Sequence, residues 1–279
     1  MAVLCLLTGC NVRNIFSKYL KVPDPEKAHA EFSASGSERW LGCPASVRLS
    51  KGIPSTTSEA SARGTNTHTL LQFMLENVNW KGHLDTPEAK AFKTFIGYDA
   101  AMQANALFAA RYVWEKMNEI EMRSGVRPKL YTEQKLELRG VGFGTSDVIL
   151  HSPFGELHVM DYKNGTKMVE PEGNTQGLYY ACGAAFKFNW EFSDIHITII
   201  QPNTPHTKGQ VRTWTTTHDA LDRAYTQFLN GVRRARKPDA PVVKNDGWCW
   251  FCPARIKCPA HIDLRHKKTL KLFGIEAET

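Results

Sequence analysis

Three consecutive runs with a two-residue repeat, at 129–138, 141–150 and 156–163, constrain this chain more than any other feature. Alternation puts successive side chains on opposite faces of an extended strand, and Ser152-Pro153-Phe154-Gly155 supplies a turn between the last two runs, so the region predicts an antiparallel meander. Ahead of it the spacing is helical. Leu70, Leu71, Met74, Leu75 and Val78 recur on one face after Gly64, with Thr65 or Asn66 as cap and His68 near the start of the helix. A longer helical region follows over 88–123, bent near Gly97, with Phe92, Phe95, Leu107, Trp114 and Met117 available for burial. Behind the meander come a helix over 174–186, strands over 194–201 and 210–215, and an amphipathic helix over 218–236. The expected fold class is α/β (α+β), a mixed sheet with an antiparallel meander flanked by helices.

With 279 residues, 42% of them hydrophobic, the chain can bury a sizeable core, which argues against disorder or a coiled coil throughout. The region 22–54 is rich in Pro, Ser and Gly and reads as turns around one short helix. A formal charge of +7 fits a polyanionic partner and equally an ordinary soluble protein. Seven unevenly spaced cysteines do not read as a disulfide framework, so a reducing, cytoplasmic location is expected, and no apolar run reaches the ~20 residues of a membrane span. The opening MAVLCLLTGC is similar to a lipoprotein cleavage site but lacks a basic leader, so a frayed or strand-like end is the preferred reading.

Leu157, Val159, Asp161 and Lys163 share one strand face, which sets a carboxylate beside an ammonium. Asp147 stands on the preceding strand. A two-residue turn would pair it with Met160, whereas a one-residue longer loop or a bulge would pair it with Asp161. Two acids meeting there repel unless a cation lies between them, and Mg²⁺ or Mn²⁺ suits oxygen ligands, with an imidazole tolerated by Mn²⁺. Such an ion can hold a scissile phosphate, and Lys163 could orient water or offset charge on the phosphorane.

The order Gly144-x-x-Asp147, a turn, Asp161-Tyr162-Lys163 and a helix carrying Gln176-x-x-x-Tyr180, with His68 after Gly64-Thr65, resembles the PD-(D/E)XK nuclease superfamily, in its RecB-like exonuclease branch. The resemblance implies a restriction-endonuclease-like core and a DNA exonuclease, with His68, Asp147, Asp161 and the carbonyl of Tyr162 as ligands for Mg²⁺ or Mn²⁺. It makes Lys163 the catalytic lysine, and Gln176 and Tyr180 DNA contacts or braces of the site. Single-stranded DNA or duplex ends are the implied substrate, and recombination or replication proteins the implied partners. Compact stand-alone forms of this family resemble proteins encoded by phages or mobile elements, an origin that would place the protein in host cytoplasm if it is phage-encoded. Ser146 replaces the usual Pro before Asp147, and Asp161 holds a position more often Glu. A catalytically silent DNA-binding or assembly subunit of the same fold, or a zinc-stabilised nucleic-acid-binding protein, would leave the same pattern. Glu133 is a further acid, but Lys135 and Glu137 share its face, so a solvated stripe accounts for it equally.

Near the C-terminal end stands Cys249-x2-Cys252-x5-Cys258. Three thiols need a fourth ligand to close a soft-metal site, and Cys43 is the best supplier, with His261 able to replace one thiolate. This arrangement resembles the iron–sulfur nuclease domains of AddB-type helicase–nucleases and of the CRISPR adaptation nuclease, and implies a [4Fe–4S] cluster, with Zn²⁺ the alternative. Tying Cys43 to Cys249 would remove about 5 kcal/mol of loop-closure entropy from the unfolded chain. The expected organisation is an N-terminal extension over 1–32, one nuclease domain over 33–262 and a basic tail over 263–279. Arg233, Arg234, Arg236 and Lys237 could bind phosphates or satisfy a helix terminus, and Trp248, Trp250 and Phe251 could stack on bases or pack around the cluster.

Overall fold

Five strands lie side by side in the order in which they occur in the chain. The computed structural model describes residues 17–19, 31–54, 58–77, 87–152 and 154–262. Strands β1 (Lys129–Leu138), β2 (Gly142–His151) and β3 (Glu156–Tyr162) form the antiparallel meander, β4 (Asp194–Ile200) joins β3 in parallel, and β5 (Val211–Thr216) returns antiparallel to β4. The helices ahead of the sheet are α1 (Ser37–Gly42), α2 (Ala45–Ser50), α3 (Glu59–Asn77), α4 (Pro87–Ile96) and α5 (Ala100–Ser124). The crossover from β3 to β4 runs through α6 (Thr175–Lys187), and α7 (His218–Ala235) and the short α8 (Asp246–Cys249) follow β5. The expected mixed sheet flanked by helices is therefore present, with strand limits within a residue of those read from the sequence.

Each face of the sheet has its own core. On one, Leu136, Ile149, Leu157, Val159, Ile195 and Ile197 meet α6 and α7; on the other, Val148, Leu150, Met160, Tyr162 and Ile200 meet α3 and α5. Central β3 is covered on both faces, so burial runs from Leu157 to Tyr162 without a break and takes in His158 and Asp161. Helix α6 lies so close to the sheet that a Cβ on Gly177 would sit 2.5 Å from Ile197 Cγ2. Asn174 caps this helix by accepting from Gly177 N–H at 2.9 Å.

The structure corrects three expectations. Helix α3 begins at Glu59 and not after Gly64, with Ser58 Oγ accepting from Ser61 N–H at 3.1 Å. Thr65, Thr67 and Thr69 turn their hydroxyls back to carbonyls four residues earlier, so Thr65 is an interior residue and His68 lies in mid-helix. The Pro/Ser/Gly-rich segment holds two short helices, α1 and α2, where one was expected. Phe95, Val78, Pro153, Cys5, Cys10 and the basic residues beyond 262 lie outside the described residues or side chains.

The segment carrying α1 and α2 meets the part of the chain from α7 onward. Ala45 N–H donates to the Pro241 carbonyl at 3.2 Å and Arg234 to the Leu41 carbonyl at 2.9 Å, while Trp40 packs on Phe228. Gly42 faces the Trp248 indole, which a Cβ would strike at 2.5 Å.

Candidate functional site

The β2–β3 register answers the question left open by the turn. Val148 stands opposite Met160, so Asp147 falls opposite Asp161, the outcome of the longer loop. Asp147 Oδ2 accepts from Tyr162 N–H at 2.7 Å, and its Oδ1 lies 3.2 Å from His68 Nδ1. The His68 ring meets Tyr162 edge-on, at 5.1 Å between centroids, which ties α3 to the end of β3.

Asp161 is almost wholly buried. Gln176 on α6 donates its amide to Asp161 Oδ1 at 3.0 Å and to Tyr180 Oη at 3.1 Å, and its carbonyl accepts from Lys163 Nζ at 2.8 Å. Lys163 Nζ also lies 2.8 Å from Asp161 Oδ2, in an ion pair whose geometry leaves that buried oxygen without a well-directed donor. His68, Asp147, Asp161, Tyr162, Lys163 and Gln176 all line one open cleft of about 490 Å³. Tyr180 stands behind Gln176 and is buried.

Burial, reinforced by the charge of Asp147, pushes the Asp161 carboxyl above the ordinary range against the pull of Lys163. Burial acts in the same sense on Asp147, but His68, the Tyr162 amide and Lys163 outweigh it and hold that carboxyl below the ordinary range. Two neighbouring carboxyls are thus driven apart in acidity. Burial alone would lower Lys163, yet Asp161 raises it, so the amine is an ammonium in this arrangement.

Glu133 belongs to the site more closely than its strand pattern suggested. Its φ of 46° is left-handed, rare for a side chain larger than Gly, and it interrupts the β1–β2 pairing between Thr132 and Gln134. Instead of joining Lys135 and Glu137 in an exposed stripe, Glu133 is half-buried, and it offers a ligand atom that lies with one each from His68 and Asp147 within 4.8 Å of one another. Asp161 shares the cleft, but its carboxylate is turned to Lys163 and Gln176. Only its acidity marked Glu133 in the sequence; the backbone strain that aims it has no sequence signal.

The four cysteines singled out by spacing line a second cavity, together with His261. All are free thiols. Cys43 Sγ accepts from Val243 N–H at 3.3 Å and Cys249 Sγ from Asn245 N–H at 3.4 Å. Burial raises the Cys43 thiol, and Cys249 and Cys252 are close enough to raise it further. Four sulfurs around one cavity, two of them already receiving backbone N–H groups, have the donor chemistry of a soft metal centre. Trp248 packs beside it, but Trp250 and Phe251 are exposed instead of packed around the thiols, with Arg255 over the Trp250 ring and Lys167 over Phe251. Among the basic residues of α7, Arg234 is spent on the Leu41 carbonyl and Arg233 on Asn230.

A family model described as "Protein of unknown function (DUF2800)" matches residues 29–277. Among solved structures, a protein from Eubacterium rectale named "Putative exonuclease" aligns with 77% of this chain and 83% of its own, at 14% identity and a TM-score of 0.42. A second, SSO0001, aligns with 92% of this chain and 97% of its own, at 11% identity and a TM-score of 0.33. Among the described residues no helix is long and apolar enough to cross a membrane.

Proposed function

This chain belongs to the DUF2800 family, and we propose that it is a metal-dependent deoxyribonuclease, an exonuclease that hydrolyses phosphodiester bonds in single-stranded DNA or at duplex ends. The observation that carries the reading is the gathering of His68, Asp147, Asp161 and Lys163, distant in sequence, in one open cleft at the end of β3. Asp161 Oδ2 already pairs with Lys163 Nζ at 2.8 Å, so an ion in this cleft would share that buried carboxylate with the amine.

His68, Asp147, Asp161 and the Tyr162 carbonyl would hold Mg²⁺ or Mn²⁺, with Glu133 in reach of the same ion. When bound, the ion supplies Lewis-acid polarisation of the phosphate and acidifies a water molecule. Lys163, as an ammonium, is suited to offset the charge that builds on the phosphorane. Gln176 fixes that amine, since its carbonyl accepts from Lys163 while its amide holds Asp161. Tyr180 in turn orients the Gln176 amide.

The same reading assigns a [4Fe–4S] cluster to Cys43, Cys249, Cys252 and Cys258, in a structural role, with Zn²⁺ the competing occupant. Recombination or replication proteins are the proposed partners, and cytoplasm the proposed location.

The deciding experiment incubates end-labelled single- and double-stranded DNA with anaerobically purified protein and Mn²⁺ or Mg²⁺. Asp161→Ala and Lys163→Ala are each expected to cut activity by roughly two orders of magnitude or more while leaving the fold intact. DNA binding without cleavage by the unaltered protein would instead identify a silent subunit.

A further inference from the structure

On the face of the sheet opposite Asp161, three residues back along β3, lies a cluster that the cleft does not use. His158 on β3 stands directly across the parallel ladder from His196 on β4, and their rings stack at 4.4 Å. Glu156, two residues before His158, shares its face, with Oε2 3.4 Å from His158 Nε2. One ligand atom from each of Glu156, His158 and His196 lies within 4.8 Å of the others.

We propose that Glu156, His158 and His196 form a site for a borderline divalent transition metal of the zinc class, separate from both the catalytic cleft and the thiol cluster. The donor set decides the class of ion. Two imidazoles and one carboxylate suit Zn²⁺, Ni²⁺ or Co²⁺, whereas Mg²⁺ prefers oxygen alone. Tetrahedral coordination at 2.0–2.1 Å sets ligand atoms about 3.4 Å apart, so the cluster must contract modestly, and His196, which is only half-buried, has room to turn. Thr215 Oγ1, 3.0 Å from His196 Nδ1, anchors the ring from the neighbouring strand as a supporting contact to a metal-binding histidine does.

Both imidazoles are neutral at physiological pH, as ligands must be. Burial first, then His196, Lys116 and Arg123, bring His158 down to about 3, and burial lowers His196 as well. Helix α5 covers the cluster with Lys116, Glu119 and Arg123, two cations and one anion. Arg123 donates to both Glu156 oxygens, at 2.5 and 2.6 Å, and so supplies the positive charge that an ion would bring. Its side chain is 56% exposed and can yield to a metal.

The test is a Ni²⁺ titration of tag-free, chelator-treated protein against a chromophoric competitor. His158→Gln and His196→Gln are each expected to lose one bound equivalent, which Asp161→Asn and Cys252→Ser both retain. Arg123→Ala is expected to bind that equivalent about tenfold more tightly. Should the buried His158→Gln fail to fold, the half-exposed His196→Gln decides, with its circular dichroism as the check. Equal stoichiometry in His196→Gln and the unaltered protein would overturn the proposal, as would loss of the same equivalent in Asp161→Asn.

Discussion

Glu133 shows how a residue that no motif marks can come to stand beside His68 and Asp147. His68, Asp147, Asp161, Lys163, Gln176 and Tyr180 were legible as a pattern because each sits at a fixed offset from a strand or helix that the pattern itself defines. Glu133 was not, because its inward aim depends on a φ of 46° in mid-strand. Such a conformation costs about 1 kcal/mol or more for a residue with a side chain and almost nothing for Gly. Glu133→Gly is therefore expected to leave the melting temperature unchanged or raise it, while lowering DNA cleavage at limiting Mn²⁺ about tenfold or more. A lowered melting temperature with full cleavage would show that the strained carboxylate serves packing alone. The His158–His196 pair was equally hidden, since nothing in a single strand reveals which residue a parallel neighbour sets beside it.

At the scale of elements, strand limits were legible from alternation, but the start of α3 was not. Gly64 and the threonines after it look like a helix beginning, yet hydroxyls bonded to earlier carbonyls let them continue a helix already under way. The joint between α3 and α5 gives a pH-dependent prediction. Asp99 caps α5 by accepting from Met102 N–H at 2.8 Å, and it pairs with Arg63 of α3. The Arg63 guanidinium, chiefly, holds this carboxyl down at about 2 from an ordinary 3.8. A carboxyl more acidic in the folded state stabilises fully above the unfolded value and loses that contribution as pH falls through the folded one. Asp99→Asn keeps a competent cap and removes only the charge. Its melting temperature is expected to lie slightly below that of the unaltered protein at pH 7, and the gap should close between pH 3.8 and 2. A gap that persists through pH 2 would assign the effect to something other than the ion pair.

Across the whole molecule, the cysteine spacing and the nuclease-like order of motifs were the features that pointed beyond single elements, and the structure sets Cys43 beside the C-terminal thiols without any disulfide among the described residues. Sequence could not reveal how far that closure rests on ordinary packing as well, through Trp40 on Phe228, Gly42 on Trp248 and Arg234 on the Leu41 carbonyl. Cys252→Ser is expected to lose iron, solubility and several degrees of melting temperature together. Complete loss of iron at unchanged stability would show that these apolar contacts suffice. The order of the strands bears on how the protein is made. Each strand lies beside the one synthesised just before it, so the sheet and its acidic rim can assemble as the chain leaves the ribosome. Cys43, by contrast, must wait 200 residues for Val243 and longer for the thiols beyond it. The metal site proposed for these four thiols would thereby be completed only once the chain has been translated through Cys258.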